Sequence, residues 1–361
     1  VVEPHATTMP ATTEQRKYVP LLNVRPRIAY PFFVYQRSTG DEKDTSLGFG
    51  AGAGIEWSDP LQYWTAQTAA YYQKDVLWGR FFLKSGRTLL QPGLELFRTP
   101  STVVVRLRTG EQIDTVRVGR DERGIAVGVQ LPAVLRSNVF QSSAQVSLAA
   151  QYRQERLFDD EGETIRAWEE RLSINPAATL VLGSQSNARD IVPNSGLIVS
   201  AVSEVALWSD RDNPSNWLQA RSTVFLPFLR RSNTGVALHA TWLAQNRGGI
   251  IDLTNFFPRG YETRADFLGR GVFAKYGAEI TQPLWYIDNG FFLFPLYFKA
   301  LFAYGFAETL LQVSGPRATE RLTVAGAGLG LQMRLVHSIS LTIRFAPVYD
   351  FVSDEWEVTF R

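Results

Sequence analysis

Between residues 338 and 349 every second side chain is large and apolar, with Ile339, Leu341, Ile343 and Phe345 alternating with Ser338, Ser340, Thr342 and Arg344. A period of two belongs to a β-strand with two unlike faces. The same alternation sets Ala144, Val146, Leu148, Ala150 and Tyr152 against Gln145, Ser147, Gln151 and Arg153, and Leu172, Ile174, Ala178, Leu180 and Leu182 against Arg171, Ser173, Asn175 and Thr179. Many long amphipathic strands of this kind predict an all-β fold, a transmembrane antiparallel β-barrel. Candidate strands fall at 24–36, 47–58, 61–73, 76–86, 88–98, 124–135, 140–155, 166–183, 192–208, 216–229, 234–246, 270–283, 290–305, 320–334, 337–349 and 350–361, about sixteen in all.

The connections differ in character. Ser58-Asp59-Pro60, Gln73-Lys74-Asp75 and Val336-His337 are tight, whereas 99–123, 156–165, 184–191 and 247–269 are long and polar. Short turns on one rim and long loops on the other are expected of outer-membrane barrels. Within 99–123, the runs Thr102–Leu107 and Asp114–Val118 predict an extra hairpin beyond the membrane, or a replacement for one of the strands above. Residues 1–23 are rich in Pro and Thr without periodicity and are expected to be a linker, a plug or the tail of an absent upstream domain, leaving 24–361 as the barrel.

Composition fits this picture: 45% of residues are apolar and 12% aromatic, enough for interfacial girdles, and 361 residues accommodate one closed barrel. A soluble β-sandwich is the alternative, because alternation alone does not say which solvent meets the apolar face. The net charge of +2, with basic residues scattered along the chain, argues against a nucleic-acid partner. With no cysteine, disulfides, thiolate metal sites and a cysteine nucleophile are excluded. No apolar run is long enough for a transmembrane helix, and the start at Val1 lacks the regions of a signal peptide, as expected of a chain numbered after processing or from within a longer precursor.

Gly48, Gly50, Gly52 and Gly54 form a Gly-x-Gly pattern, but Phe49, Ala51, Ala53, Ile55 and Trp57 alternate with them and no helix follows, so a dinucleotide loop is rejected. Gly326, Gly328 and Gly330 repeat the arrangement opposite Ala325, Ala327, Leu329 and Leu331. With the apolar positions facing lipid, both glycine rows line the lumen and make room for something that folds in.

The long connection before residue 270 holds Phe256-Phe257-Pro258-Arg259-Gly260-Tyr261, followed by Val272, Ala274, Tyr276, Ala278 and Ile280 alternating with Lys275, Gly277, Glu279 and Thr281. This motif, its late position and the chain length resemble the Omp85 superfamily. The resemblance implies a sixteen-stranded barrel in which a late loop with an Arg-Gly-Tyr signature folds inward and its arginine pairs with an acidic group on the wall. The family's usual Phe-x-Asp-x-Gly is replaced by Phe302-Ala303-Tyr304-Gly305 preceded by Leu301, without the aspartate. Glu279 is the first substitute partner for Arg259 and Glu308 the second, with Lys275 nearby, since a guanidinium in a crowded lumen needs a carboxylate it can bind at two points.

The resemblance further implies outer-membrane lipid around the barrel, protein partners in the periplasm or at the surface, and a role in translocating, inserting or anchoring polypeptides. Transport members of the family carry POTRA domains, for which residues before 24 are too few; other relatives join such a barrel to a propeller or an enzymatic domain. Pro26 and Pro31 in the first strand remove ladder donors and point to a weak seam with the short last strand. There Trp356, Val358 and Phe360 resemble an outer-membrane C-terminal targeting signal, although Arg361 is last.

Catalysis is not expected. His5, His239 and His337 are the three histidines, with no metal-ligand spacing and no serine signature, so neither metal nor cofactor is expected. Inward Lys275, Lys299, Arg334 and Arg344 balance Glu279 and Glu357 more simply as a charge network than as an acid–base pair. A passive porin-type channel and a purely structural membrane anchor are the alternative functions.

Overall fold

The computed structural model describes residues 20–36, 48–73, 76–109, 112–137, 141–158, 164–185, 191, 193, 195–210, 214, 216–229, 233–246, 256–259, 270–290, 296–315, 321–335 and 339–360. After a single 3₁₀ turn at Pro20–Asn23, everything regular is strand. The first half comprises β1 (Arg25–Gln36), β2 (Gly48–Ser58), β3 (Trp64–Gln73), β4 (Val76–Ser85), β5 (Gln91–Thr109), β6 (Gln112–Ser137), β7 (Gln141–Phe158) and β8 (Thr164–Gln185). The second comprises β9 (Ser195–Ser209), β10 (Trp217–Leu229), β11 (Thr234–Gln245), β12 (Gly271–Gly290), β13 (Leu296–Ser314), β14 (Arg321–Leu335), β15 (Ile339–Asp350) and β16 (Glu355–Phe360).

All sixteen strands join one antiparallel sheet in sequence order, each paired with its chain neighbours. The sheet is a transmembrane β-barrel whose two terminal strands are β1 and β16; among the described residues no ladder joins them. Strand order follows from the alternation: each hairpin presents one apolar face, and meander pairing aligns those faces without a crossover. Ladder partners such as Val129 with Leu148 and Leu238 with Ala278 keep the apolar sides in register. These apolar side chains are solvent-exposed, Val127 by 56%, Leu148 by 49% and Leu329 by 51%, while the opposite face carries Glu279, Glu308, Lys275 and Thr281, all buried. An apolar outside and a polar inside invert the soluble pattern and exclude the β-sandwich.

Two expectations are corrected. The predicted hairpin within 99–123 is no separate element: β5 and β6 run without interruption to a tip at Thr109 and Gln112, and at 19 and 26 residues both exceed the roughly ten a membrane requires, so their ends project from the rim. Nor are short and long connections cleanly segregated. The tight link from Gln73 to Val76 follows an odd-numbered strand and therefore shares its rim with the long link from Gln245 to Gly271. Residues 1–19 lie outside the described residues. The Ser58–Trp64 turn is tied by Asp59, whose buried carboxylate accepts from the Trp64 amide at 2.6 Å and the Leu61 amide at 3.0 Å.

The two faces of β7 provide a direct test. Leu148→Arg, on the lipid side, is expected to lower stability in lipid vesicles by about 2–4 kcal/mol, and Ser147→Arg, on the lumen side, by less than about 1 kcal/mol. Urea unfolding followed by tryptophan fluorescence measures both, and equal losses would contradict the assignment of faces.

Candidate functional site

The inner wall formed by β11 to β15 is covered by the segment Phe256–Arg259, which returns from the long β11–β12 connection. Phe256 and Phe257 are buried among Leu243, Phe273, Phe302, Tyr304, Phe306, Leu310, Leu322, Val324, Ala346 and Val348, with Trp217 and Ile191 at the margin. This is an apolar core inside a barrel whose lumen is otherwise polar. Burial of two phenyl rings, each stabilising by about 1.5–3 kcal/mol, brings the following residues down onto the wall.

Arg259 follows this anchor and is almost wholly desolvated. Its Nη2 donates to Glu279 Oε2 on β12. Its Nε lies 3.3 Å from Glu308 Oε1 on β13, and its backbone amide donates to Glu308 Oε2 at 3.0 Å. Lys275 on β12 donates to the Phe257 carbonyl at 3.0 Å and lies 3.1 Å from Glu308 Oε2. Arg344 on β15 reaches both oxygens of Glu279, at 2.9 and 3.0 Å, and His239 Nε2 on β11 lies 3.5 Å from Glu308 Oε1. Two carboxylates thus hold Arg259, Lys275, Arg344 and His239 together, which compensates the desolvation that an isolated buried charge would incur.

Aromatic faces complete the site. The Arg259 Cζ sits 4.1 Å from the Phe306 ring centroid, and the Arg344 Cζ sits 5.1 Å from that of Tyr304. Among the described residues the Arg259 Nη1 has no hydrogen-bond acceptor. Phe302, Tyr304 and Phe306 project inward from alternate positions of β13 and lie over β14, opposite Gly330, Gly328 and Gly326. A Cβ at Gly326 would stand 2.8 Å from the Phe306 ring, and one at Gly330 would collide with Phe302. Gly330 and Gly326 therefore make room for the Phe302 and Phe306 rings, whereas a Cβ at Gly328 would collide with the Phe345 carbonyl on β15. In the first row a Cβ at Gly54 would stand 2.6 Å from the Tyr30 ring, whereas one at Gly52 would collide with the Ala70 carbonyl and the Tyr71 Cβ of β3, and one at Gly50 would crowd Gln73. Gly48 begins β2 opposite Gln36.

Of the residues nominated from sequence, Pro258, Arg259, Glu279, Glu308 and Lys275 converge here, while Gly260 and Tyr261 lie outside the described residues. Trp356 and Val358 are exposed on the outer face of β16, and Phe360 ends that strand. Sequence reasoning missed the β13 rings and the role of His239, which points at Glu308 because Gly277 beside it has no side chain. The signal was present in the inward phase of Phe302, Tyr304 and Phe306 opposite a glycine row. A second inward network ties β6 to β10: Arg153 reaches Glu204 at 2.9 Å and Glu122 at 3.4 Å, Arg120 reaches Glu122 at 3.2 Å, and the Trp217 indole donates to Glu204 at 3.0 Å. Among the described residues no group of His, Cys, Asp and Glu could hold a metal ion.

The glycine–aromatic fit is testable. Gly330→Ala is expected to destabilise the barrel by about 1–3 kcal/mol through displacement of Phe302. Gly305→Ala, whose Cβ would make an ordinary 3.5 Å contact with Ile280, is expected to change little. Urea midpoints of the folded, unboiled gel band compare them; equal midpoints would remove the close fit from the account.

No family model matches the chain, and no curated protein matches it. Among solved structures, BamA from Haemophilus ducreyi lacking POTRA domains 1–3 aligns over 94% of this chain and 69% of its own length, with a TM-score of 0.56 and 12% sequence identity. The chain thus has a BamA-like barrel fold.

Proposed function

We propose that this chain is a bacterial outer-membrane barrel that translocates, inserts or anchors polypeptide partners while the locked Phe256–Arg259 segment keeps its lumen closed. The observation that carries the reading is the clamp of Arg259 between Glu279 and Glu308. A porin needs an open, hydrated constriction, and a desolvated guanidinium on aromatic rings is unsuited to one. The chemistry is binding and gating, with no covalent step.

The seam supplies the route. β16 has only six residues, and β1 carries Pro26 and Pro31, which cannot donate to a ladder. A strand edge short of donors pairs weakly with its neighbour, so this seam is suited to part and give an extended client segment a lateral route. Phe33, on the outer face of β1, is 70% exposed and stands beside that edge. A structural anchor would need the same barrel without a client at the seam.

A photo-crosslinking amino acid at Phe33 in living cells is expected to capture polypeptide clients, and the same group at Leu148, on the far wall, to capture none. Equal adducts at both sites, or none at either, would contradict the client-handling reading and leave the anchor.

A further inference from the structure

A group of arginines on the outer wall has no part in the lumen site. On β5, β6 and β7 the outward positions are apolar through Leu94 and Leu96, Leu131 to Ile125, and Val146 and Leu148, and the residues that follow toward the projecting hairpin are Arg98, Arg123, Gln154 and Arg156. On β6 the run from Leu135 to Ile125 is about the ten residues a membrane strand requires, which puts Arg123 at the level of lipid headgroups.

The group is built. Arg98 grips Asp121 at two points, 2.7 and 3.2 Å, and Arg156 reaches the same carboxylate at 3.2 Å. Asp121 is 0% exposed, whereas the side chains of Arg98 and Arg156 are 36% and 30% exposed, so the carboxylate is hidden behind the two guanidiniums it holds. Arg123 donates to the neutral Gln154 at 2.8 Å, and Gln154 donates in turn to Glu170 at 2.8 Å on β8. Trp168 lies beneath both Arg123 and Arg156, with Cζ-to-centroid distances of 4.1 and 5.1 Å. An indole at this height is a usual interfacial anchor. The outer face thus offers three guanidiniums against two carboxylates, Asp121 hidden behind Arg98 and Arg156 and Glu170 linked to Arg123 only through Gln154, immediately above the apolar band.

The geometry points to a binding site for the phosphate groups of an anionic lipid headgroup in the leaflet at the rim from which the β5–β6 hairpin projects, the rim that also carries the β11–β12 connection. Guanidinium forks bind phosphate oxygens at two points, and the apolar band directly below receives the acyl chains of the same molecule. The occupant is a lipid, because only an amphiphile meets both surfaces.

The test incubates the folded barrel with lipopolysaccharide and counts bound lipid by native mass spectrometry, beside the triple variant R98Q/R123Q/R156Q. Loss of about tenfold in bound lipid is expected in the variant, and a severalfold loss in the wild type as salt is raised. Equal retention by the two proteins, or retention insensitive to salt, would overturn the site. Binding of inorganic phosphate as tightly as of the lipid would also overturn it, leaving a free-anion site. Gel mobility with and without boiling verifies folding; if the triple variant does not fold, R123Q, which leaves the Asp121 pairs intact, is expected to lose bound lipid about two- to fivefold, and no loss would overturn the proposal equally.

Discussion

The interior of this barrel is organised by one constraint: a guanidinium taken out of water needs carboxylates to compensate its charge. Arg259 is met by Glu279 at Nη2, by Glu308 at Nε and at its own backbone amide, and by the Phe306 ring beneath. Neither carboxylate would be stable alone in such a place, and neither is alone, since Arg344 holds Glu279 and Lys275 and His239 hold Glu308. The pairs are therefore conditional on one another. Withdrawing one partner unbalances the charge held by the others, and only loss of every partner would leave a carboxylate uncompensated.

That conditionality couples distant parts of the chain. The loop contributes the cation, β12 and β13 the carboxylates, β15 the second arginine and β11 the imidazole, so the site is complete only when five segments are in register. Gly326 and Gly330 of β14 take part without any side chain, because a Cβ at either would displace Phe306, on which Arg259 rests, or Phe302 beside Arg344. Lys275 extends the arrangement to the loop backbone through the Phe257 carbonyl, so it fixes the position of the segment as well as its charge.

Strand identity, strand count and the lipid-facing side were legible in the sequence because a period of two records which face of a strand meets which solvent. Glu279 was placed inward by the same phase, whereas Glu308, beyond the expected end of its strand at 305, was nominated only as a second carboxylate for a desolvated arginine; the strand in fact runs from Leu296 to Ser314. Cross-strand register is not encoded by alternation, which is why the aromatic ladder of Phe302, Tyr304 and Phe306 and its glycine seat escaped notice. The β5–β6 extension was misread for a related cause. Its polar outward residues Arg98, Asp121 and Arg123 break the apolar pattern where the sheet leaves the membrane, although the backbone pairing continues unchanged.

Whether Arg259 keeps the lumen closed is measured directly by planar-bilayer conductance of the purified barrel beside Arg259→Ala. The predicted result is a silent or flickering wild type and a variant that conducts in long, large openings. A large, steady wild-type current, unchanged by the substitution, would contradict the lock and make the barrel a diffusion channel.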